Sequence, residues 1–227
     1  MQARDRLIVA LDRSSREEIL RLADAVHGVA GAVKIGLQAF IVNGPGLVRE
    51  IVARGEKVFL DLKIHDIPNT AMNAVAEAGA LGVFMTTVHA SGGEAMLRAC
   101  ARPAPHTLVL GVTVLTSLDD GDLARVGFRG SAAENVVNLA RLSKECGLRG
   151  VVASADETEL IRAACGSDLV IVTPGVRPEG SEAGDQRRTK TPAAAVAAGA
   201  DYIVVGRPIT DAPDPGAAAS AIVDSLP

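Results

Sequence analysis

The run Phe59-Leu60-Asp61-Leu62-Lys63-Ile64-His65-Asp66 places two carboxylates and an ammonium at the end of an apolar stretch. In a parallel strand, residues two apart share one face, so Asp61 and Lys63 project together toward the same end of a sheet. Lys34 lies late in another apolar run, and Asp12 ends the first one. Alternating charges gathered in a small volume of low dielectric are strongly felt by one another and by anything bound between them. The chemistry within reach of such a cluster is the control of reacting charge. Asp/Lys pairs at strand ends also serve as structural ion pairs, and the pair alone leaves both readings open.

Positioning these groups requires several strands that end at one rim. Apolar runs rich in β-branched residues occur at 7–11, 32–36, 57–62, 83–88, 107–112, 150–153, 169–172 and 202–205. Helical spacing of apolar residues fills the gaps at 16–26, 46–53, 71–80, 94–101, 132–146, 157–164, 192–198 and 215–226. This alternation is the rhythm of a parallel sheet covered by helices. Strand-then-helix repeats throughout the chain predict an α/β fold, a single (β/α)₈ TIM barrel as one domain over residues 1–227. The alternative is an open doubly wound sheet with extra strands. Two connections, 116–130 and 173–191, exceed what tight barrel loops need, and both follow strands. They are expected on the C-terminal face, where barrel enzymes place their active sites.

Composition narrows the function classes. Of 227 residues, 48% are hydrophobic and 2% aromatic, which suits buried parallel strands and close helix packing. A net charge of −4 provides no basic field for nucleic acid, and with no Trp and one Tyr there is little to stack on bases. Cys100, Cys146 and Cys165 are odd in number and contain no Cys-x-x-Cys pair, so neither a disulfide framework nor a zinc site is expected. The five apolar residues 7–11 are too few for a signal peptide or a membrane span. A cytoplasmic protein with no membrane association is the expectation.

The end of the chain carries a second functional signal. Val205-Gly206-Arg207 closes the last strand, and barrels commonly bind phosphate after strands seven and eight. A glycine lets backbone N–H groups approach the anion, and a guanidinium pairs with it in a bidentate way. Elsewhere a Gly-Arg turn is more often a solvated surface arginine, so position is what favours the phosphate reading.

The stretch from Phe59 continues as Ile67-Pro68-Asn69-Thr70, and the whole resembles the active-site signature of the orotidine 5′-monophosphate decarboxylase family, Asp-x-Lys-x-x-Asp followed by Ile-Pro-Asn-Thr. The short core is shared with related sugar-phosphate decarboxylases; the longer string is more specific. Further segments similar to the family's recur in order: Val9-Ala10-Leu11-Asp12, Val33-Lys34-Ile35-Gly36, Val88-His89-Ala90-Ser91-Gly92-Gly93 and Val112-Thr113-Val114-Leu115-Thr116-Ser117. Near the C-terminus come Thr173-Pro174-Gly175-Val176-Arg177-Pro178, Gly184-Asp185-Gln186-Arg187-Arg188 and Val205-Gly206-Arg207-Pro208.

The resemblance implies decarboxylation of orotidine 5′-monophosphate to uridine 5′-monophosphate in pyrimidine biosynthesis, without a cofactor or metal. It implies Lys63 as the proton donor, Asp61 as the carboxylate beside the departing CO₂, and Lys34 and Asp66 within the charge network. By the same resemblance, Asp12 and Lys34 hold ribose hydroxyls, Thr116 faces the pyrimidine, Arg177 and Gln186 contact the nucleotide as the loop after strand seven closes, and Gly206 and Arg207 serve the phosphate. Asp66, Ile67 and Thr70 are implied to reach into a partner's site, making a functional homodimer. From local sequence alone, Asp66 would more often be an N-cap for the helix entered through Pro68. His89 reads as structural, and strand alternation turns His65 away from Lys63. A magnesium-dependent sugar-phosphate decarboxylase is the rival, but those relatives carry an acidic metal ligand where this chain has Lys34.

Overall fold

Val, Ile and Leu dominate the short runs because a parallel strand is covered on both faces and must bury both sets of side chains. The computed structural model describes residues 1–178 and 190–227. Its strands are β1 (Leu7–Ala10), β2 (Ala32–Gly36), β3 (Val58–Ile64), β4 (Met85–His89), β5 (Leu108–Val112), β6 (Gly150–Val152), β7 (Val170–Thr173) and β8 (Tyr202–Val205). They form a closed barrel in chain order, with β1 parallel to β8 and Leu7 in register with Ile203. Closure excludes the open-sheet alternative.

Two faces follow from strand alternation. Ile8, Ala10, Ala32, Phe59, Met85, Leu110, Val172 and Val204 form one buried cluster that fills the barrel. Leu7, Val9, Val33, Ile35, Leu60, Ile203 and Val205 turn outward and pack with buried helix residues such as Ile19, Leu22 and Ile51. The interior is filled to the point that Gly150 has no room for a side chain: a Cβ there would lie 2.7 Å from both Leu110 Cδ2 and the Val170 carbonyl.

The helices are α1 (Arg16–Val26), α2 (Leu37–Ala53), α3 (Pro68–Ala80), α4 (Gly93–Cys100), α5 (Asp120–Arg125), α6 (Ala132–Glu145), α7 (Thr158–Cys165), α8 (Pro192–Ala197), α9 (Arg207–Thr210) and α10 (Pro215–Asp224). Local chemistry explains their starts. Ser15, Ser131, Thr191 and Asp214 each accept a backbone N–H in the first turn, and Pro sits in the first turn of α3, α8 and α10.

Several sequence expectations need correction. The helix expected at 46–53 is the second part of α2; Gly44, non-helical at φ 66°, and Pro45 divide it from a first part that begins at Leu37 and was read as a connection. The stretch 116–130 contains α5, started by a reciprocal cap between Asp119 and Asp122. Strand β1 ends at Ala10, so Asp12 lies just beyond it, and Arg207 opens the short α9. Ile67, not Asp66, occupies the N-cap position of α3, with no side-chain hydrogen bond into the first turn.

Cys100, Cys146 and Cys165 are free and buried, and burial pushes the Cys100 thiol up to about 11. Among the described residues, no helix is long and apolar enough to cross a membrane.

Candidate active site

The C-terminal strand ends open into a cleft of about 470 Å³. Its floor is apolar, from Ala10, Phe59, Val112, Val152 and Val204, and its walls carry Asp12, Lys34, Asp61, Lys63, Thr116, Arg177, Gly206 and Arg207. All of these wall residues were singled out from sequence. An apolar floor lowers the local dielectric, so the charges above it act on one another more strongly than in water.

Strand β3 supplies the centre. The Lys63 ammonium donates to Asp61 Oδ2 at 2.7 Å, with the two side chains 29% and 13% exposed. Asp61 Oδ1 accepts from the Thr87 hydroxyl at 2.9 Å, and that hydroxyl accepts from the Lys63 backbone N–H at 2.8 Å. Lys63 has φ of 51°, the one non-glycine residue at positive φ among those described. This left-handed conformation costs an L side chain about 1–2 kcal/mol. It sits where the β3–β4 ladder shifts register between Leu60 and Ile64. Strained backbone of this kind clusters at functional sites.

Strand β2 supplies the neighbouring pair. Lys34 Nζ donates to Asp12 Oδ1 at 2.9 Å. Gly36 makes room for it, since a Cβ there would stand 2.8 Å from Asp12 Oδ1 and 2.9 Å from Lys34 Nζ. On the other side of β1, just past the end of β8, come Gly206 and Arg207. Arg13, which sequence reading passed over, also lines the cleft, but its guanidinium is met by Glu18 at 2.8 Å, by Asp211 and by Thr210.

Other expected residues fall elsewhere. Asp66, Ile67 and Thr70 lie past β3 outside this cleft; all three are exposed, Ile67 by 67%. Asp66 Oδ1 accepts from the Ile67 N–H at 2.7 Å. Gln186 and the motif 184–188 lie outside the described residues. The flanks of that stretch are tied together, with Arg177 N–H donating to the Lys190 carbonyl at 3.1 Å and Lys190 Nζ to the Ala155 carbonyl at 3.2 Å.

His65 and His89 pack with ring centroids 5.4 Å apart, and neither lines the cleft. Desolvation holds the His89 imidazole below its ordinary value, helped by the nearby charges of His65 and Lys63 and opposed by Asp61. Thr87 was missed because a threonine inside a strand reads as ordinary β propensity. The available signal was its phase, since it shares a strand face with His89.

Fold and cleft together define a (β/α)₈ barrel of the kind that carries its active site above the C-terminal strand ends. The chain belongs to the orotidine 5′-phosphate decarboxylase / HUMPS family, whose model matches residues 5–222. It is 49% identical over 230 residues to the orotidine 5′-phosphate decarboxylase of Sodalis glossinidius (strain morsitans), covering 99% of this chain and 91% of the relative. Identity to the Vibrio campbellii enzyme of the same name is 47% over 226 residues, covering 97% of each. The crystal structure of orotidine 5′-phosphate decarboxylase from Lactobacillus acidophilus superimposes with a TM-score of 0.86 at 36% identity, over 97% of this chain and 98% of that one.

Proposed function

We propose that this protein decarboxylates orotidine 5′-monophosphate to uridine 5′-monophosphate in pyrimidine biosynthesis, as a cytoplasmic, cofactor-free and metal-free homodimer of one-domain barrels. The observation that carries the reading is the Lys63–Asp61 pair at 2.7 Å, in a cleft that also holds Arg207.

The bond from ring carbon C6 to the carboxylate breaks heterolytically. CO₂ leaves neutral, its electron pair stays on C6, and a proton from the Lys63 ammonium completes the product. Lys63, left neutral, then regains a proton from solvent. Asp61 faces the substrate carboxylate, so two anions repel in the ground state and the repulsion vanishes as CO₂ forms. Attraction between Lys63 and C6 grows over the same path. Both effects differ between ground and transition states, which is what accelerates a reaction.

The remaining residues bind. Lys34 and Asp12 take the ribose hydroxyls, Thr116 the pyrimidine, and Gly206, Arg207, Arg177 and Gln186 the phosphate end. Phosphate contacts remote from C6 supply binding energy for excluding water around the reacting charges. Asp66, Ile67 and Thr70 enter a partner's cleft, a role supported by their exposure and their distance from their own. The lysine at position 34, already paired with Asp12, disfavours a cation beside Asp61.

The direct test is ultraviolet detection of orotidine 5′-monophosphate consumption by purified protein in excess chelator. Turnover unaffected by the chelator is expected. A protein inert toward the nucleotide, or one that needs magnesium and turns over a sugar phosphate, would refute the reading.

A further inference from the structure

Thr87 is fully buried on β4, opposite the part of β3 that leaves the ladder. Leu60 pairs with Thr86 and Ile64 with Val88, so β3 uses four residues where β4 uses two. Asp61, Leu62 and Lys63 form the resulting bulge, with Lys63 at φ 51°. A bulge lifts backbone groups out of the ladder, and a buried N–H must find another acceptor. The Lys63 N–H finds Thr87 Oγ1 at 2.8 Å.

The same hydroxyl donates to Asp61 Oδ1 at 2.9 Å. A hydroxyl has one proton to give and lone pairs to accept with, so both bonds form together and each has a fixed direction. The other oxygen of Asp61 takes the Lys63 ammonium at 2.7 Å. Thr87 therefore holds the backbone that carries the ammonium and the rotation of the carboxylate it faces. The hydroxyls of Thr86 and Thr107 are used differently, donating to the backbone carbonyls of Leu60 and Val83.

We propose that Thr87 is a positioning residue for the reaction: its hydroxyl fixes the spacing of Lys63 and Asp61 without touching substrate. This deepens the decarboxylase reading and rests on it. Thr87→Val keeps the branched shape and removes the hydroxyl; Thr87→Ser keeps the hydroxyl and removes a buried methyl. A merely structural threonine would lose stability and activity in step. A positioning hydroxyl separates the two.

The experiment measures kcat, KM and thermal midpoint for both variants. Thr87→Val is expected to lower kcat roughly 30-fold, the effect of losing a hydrogen bond to a charged group, with KM within about threefold of wild type. Thr87→Ser is expected to keep kcat within about threefold despite its lost methyl. Wild-type kcat in Thr87→Val, or equal impairment in Thr87→Ser, would overturn the proposal. If the wild type itself turned over no nucleotide, the function reading would fail, and crystal structures would decide the positioning claim alone. Displacement of Lys63 or rotation of Asp61 in Thr87→Val supports it, and unchanged geometry overturns it.

Discussion

The ammonium of Lys63 reaches the carboxylate of Asp61 at 2.7 Å from a backbone held at φ 51°, a conformation that suits glycine better than lysine. The side chain required by the proposed chemistry and the backbone preferred by the fold are therefore in conflict at one residue. Replacing Lys63 should expose both halves of that conflict. Lys63→Ala is expected to lower kcat by about 10³-fold or more, the range of a lost general acid, with the fold retained by circular dichroism. Lys63→Gly should be equally inactive yet more stable than Lys63→Ala by about 1 kcal/mol, read from urea unfolding. A rate near wild type in either variant removes Lys63 from the proton transfer.

Arg207 opens α9 just beyond the eighth strand and shares the cleft with Lys63. For Arg207→Ala, the lost charge-assisted contacts to phosphate should weaken nucleotide binding by about 10- to 100-fold, measured by calorimetry with uridine 5′-monophosphate. Binding of uridine, which has no phosphate, should be unaffected. Unchanged nucleotide affinity would place the phosphate elsewhere.

His89 makes stability depend on pH. Its folded-state value lies below the ordinary one, chiefly through burial, so below about pH 6.5 the unfolded chain takes up a proton that the folded chain resists. The contribution is complete above that pH and is lost as pH falls toward the lowered folded value. Urea midpoints between pH 7.5 and pH 5, roughly spanning the ordinary histidine range, should fall more for wild type than for His89→Gln. Parallel curves would show that His89 titrates alike in both states.

Gly150 tests how full the barrel is. Adding one methyl forces it against Leu110 and the Val170 carbonyl, and Gly150→Ala is expected to cost about 1–3 kcal/mol in thermal or urea unfolding. No loss of stability would mean that the interior yields more readily than its packing implies.

Most of the architecture was legible because periodicity reports burial. The run read at 57–62 corresponds to Val58–Ile64, and helix 16–26 is Arg16–Val26. What escaped was set by tertiary contacts. The helical stretch from Leu37 to the break at Gly44-Pro45 was passed over, whereas the stretch beyond that break was read at 46–53. The bulge at Lys63 has no glycine to announce it, because a hydroxyl on the next strand stabilises it. The site was legible as a set of residues, since motifs preserve identity and order; the link from Asp61 to Lys63 through Thr87 needed coordinates.

The pairing of β1 with β8 has a consequence for how the protein comes into being. Asp12 leaves the ribosome long before Arg207, and the barrel cannot close until Ile203 reaches Leu7. Contacts so distant along the chain form slowly, so a nascent polypeptide holds its early strands without a finished sheet. Binding competence should therefore appear abruptly once the eighth strand has been translated, and a message truncated before that strand should yield a product for the proteases.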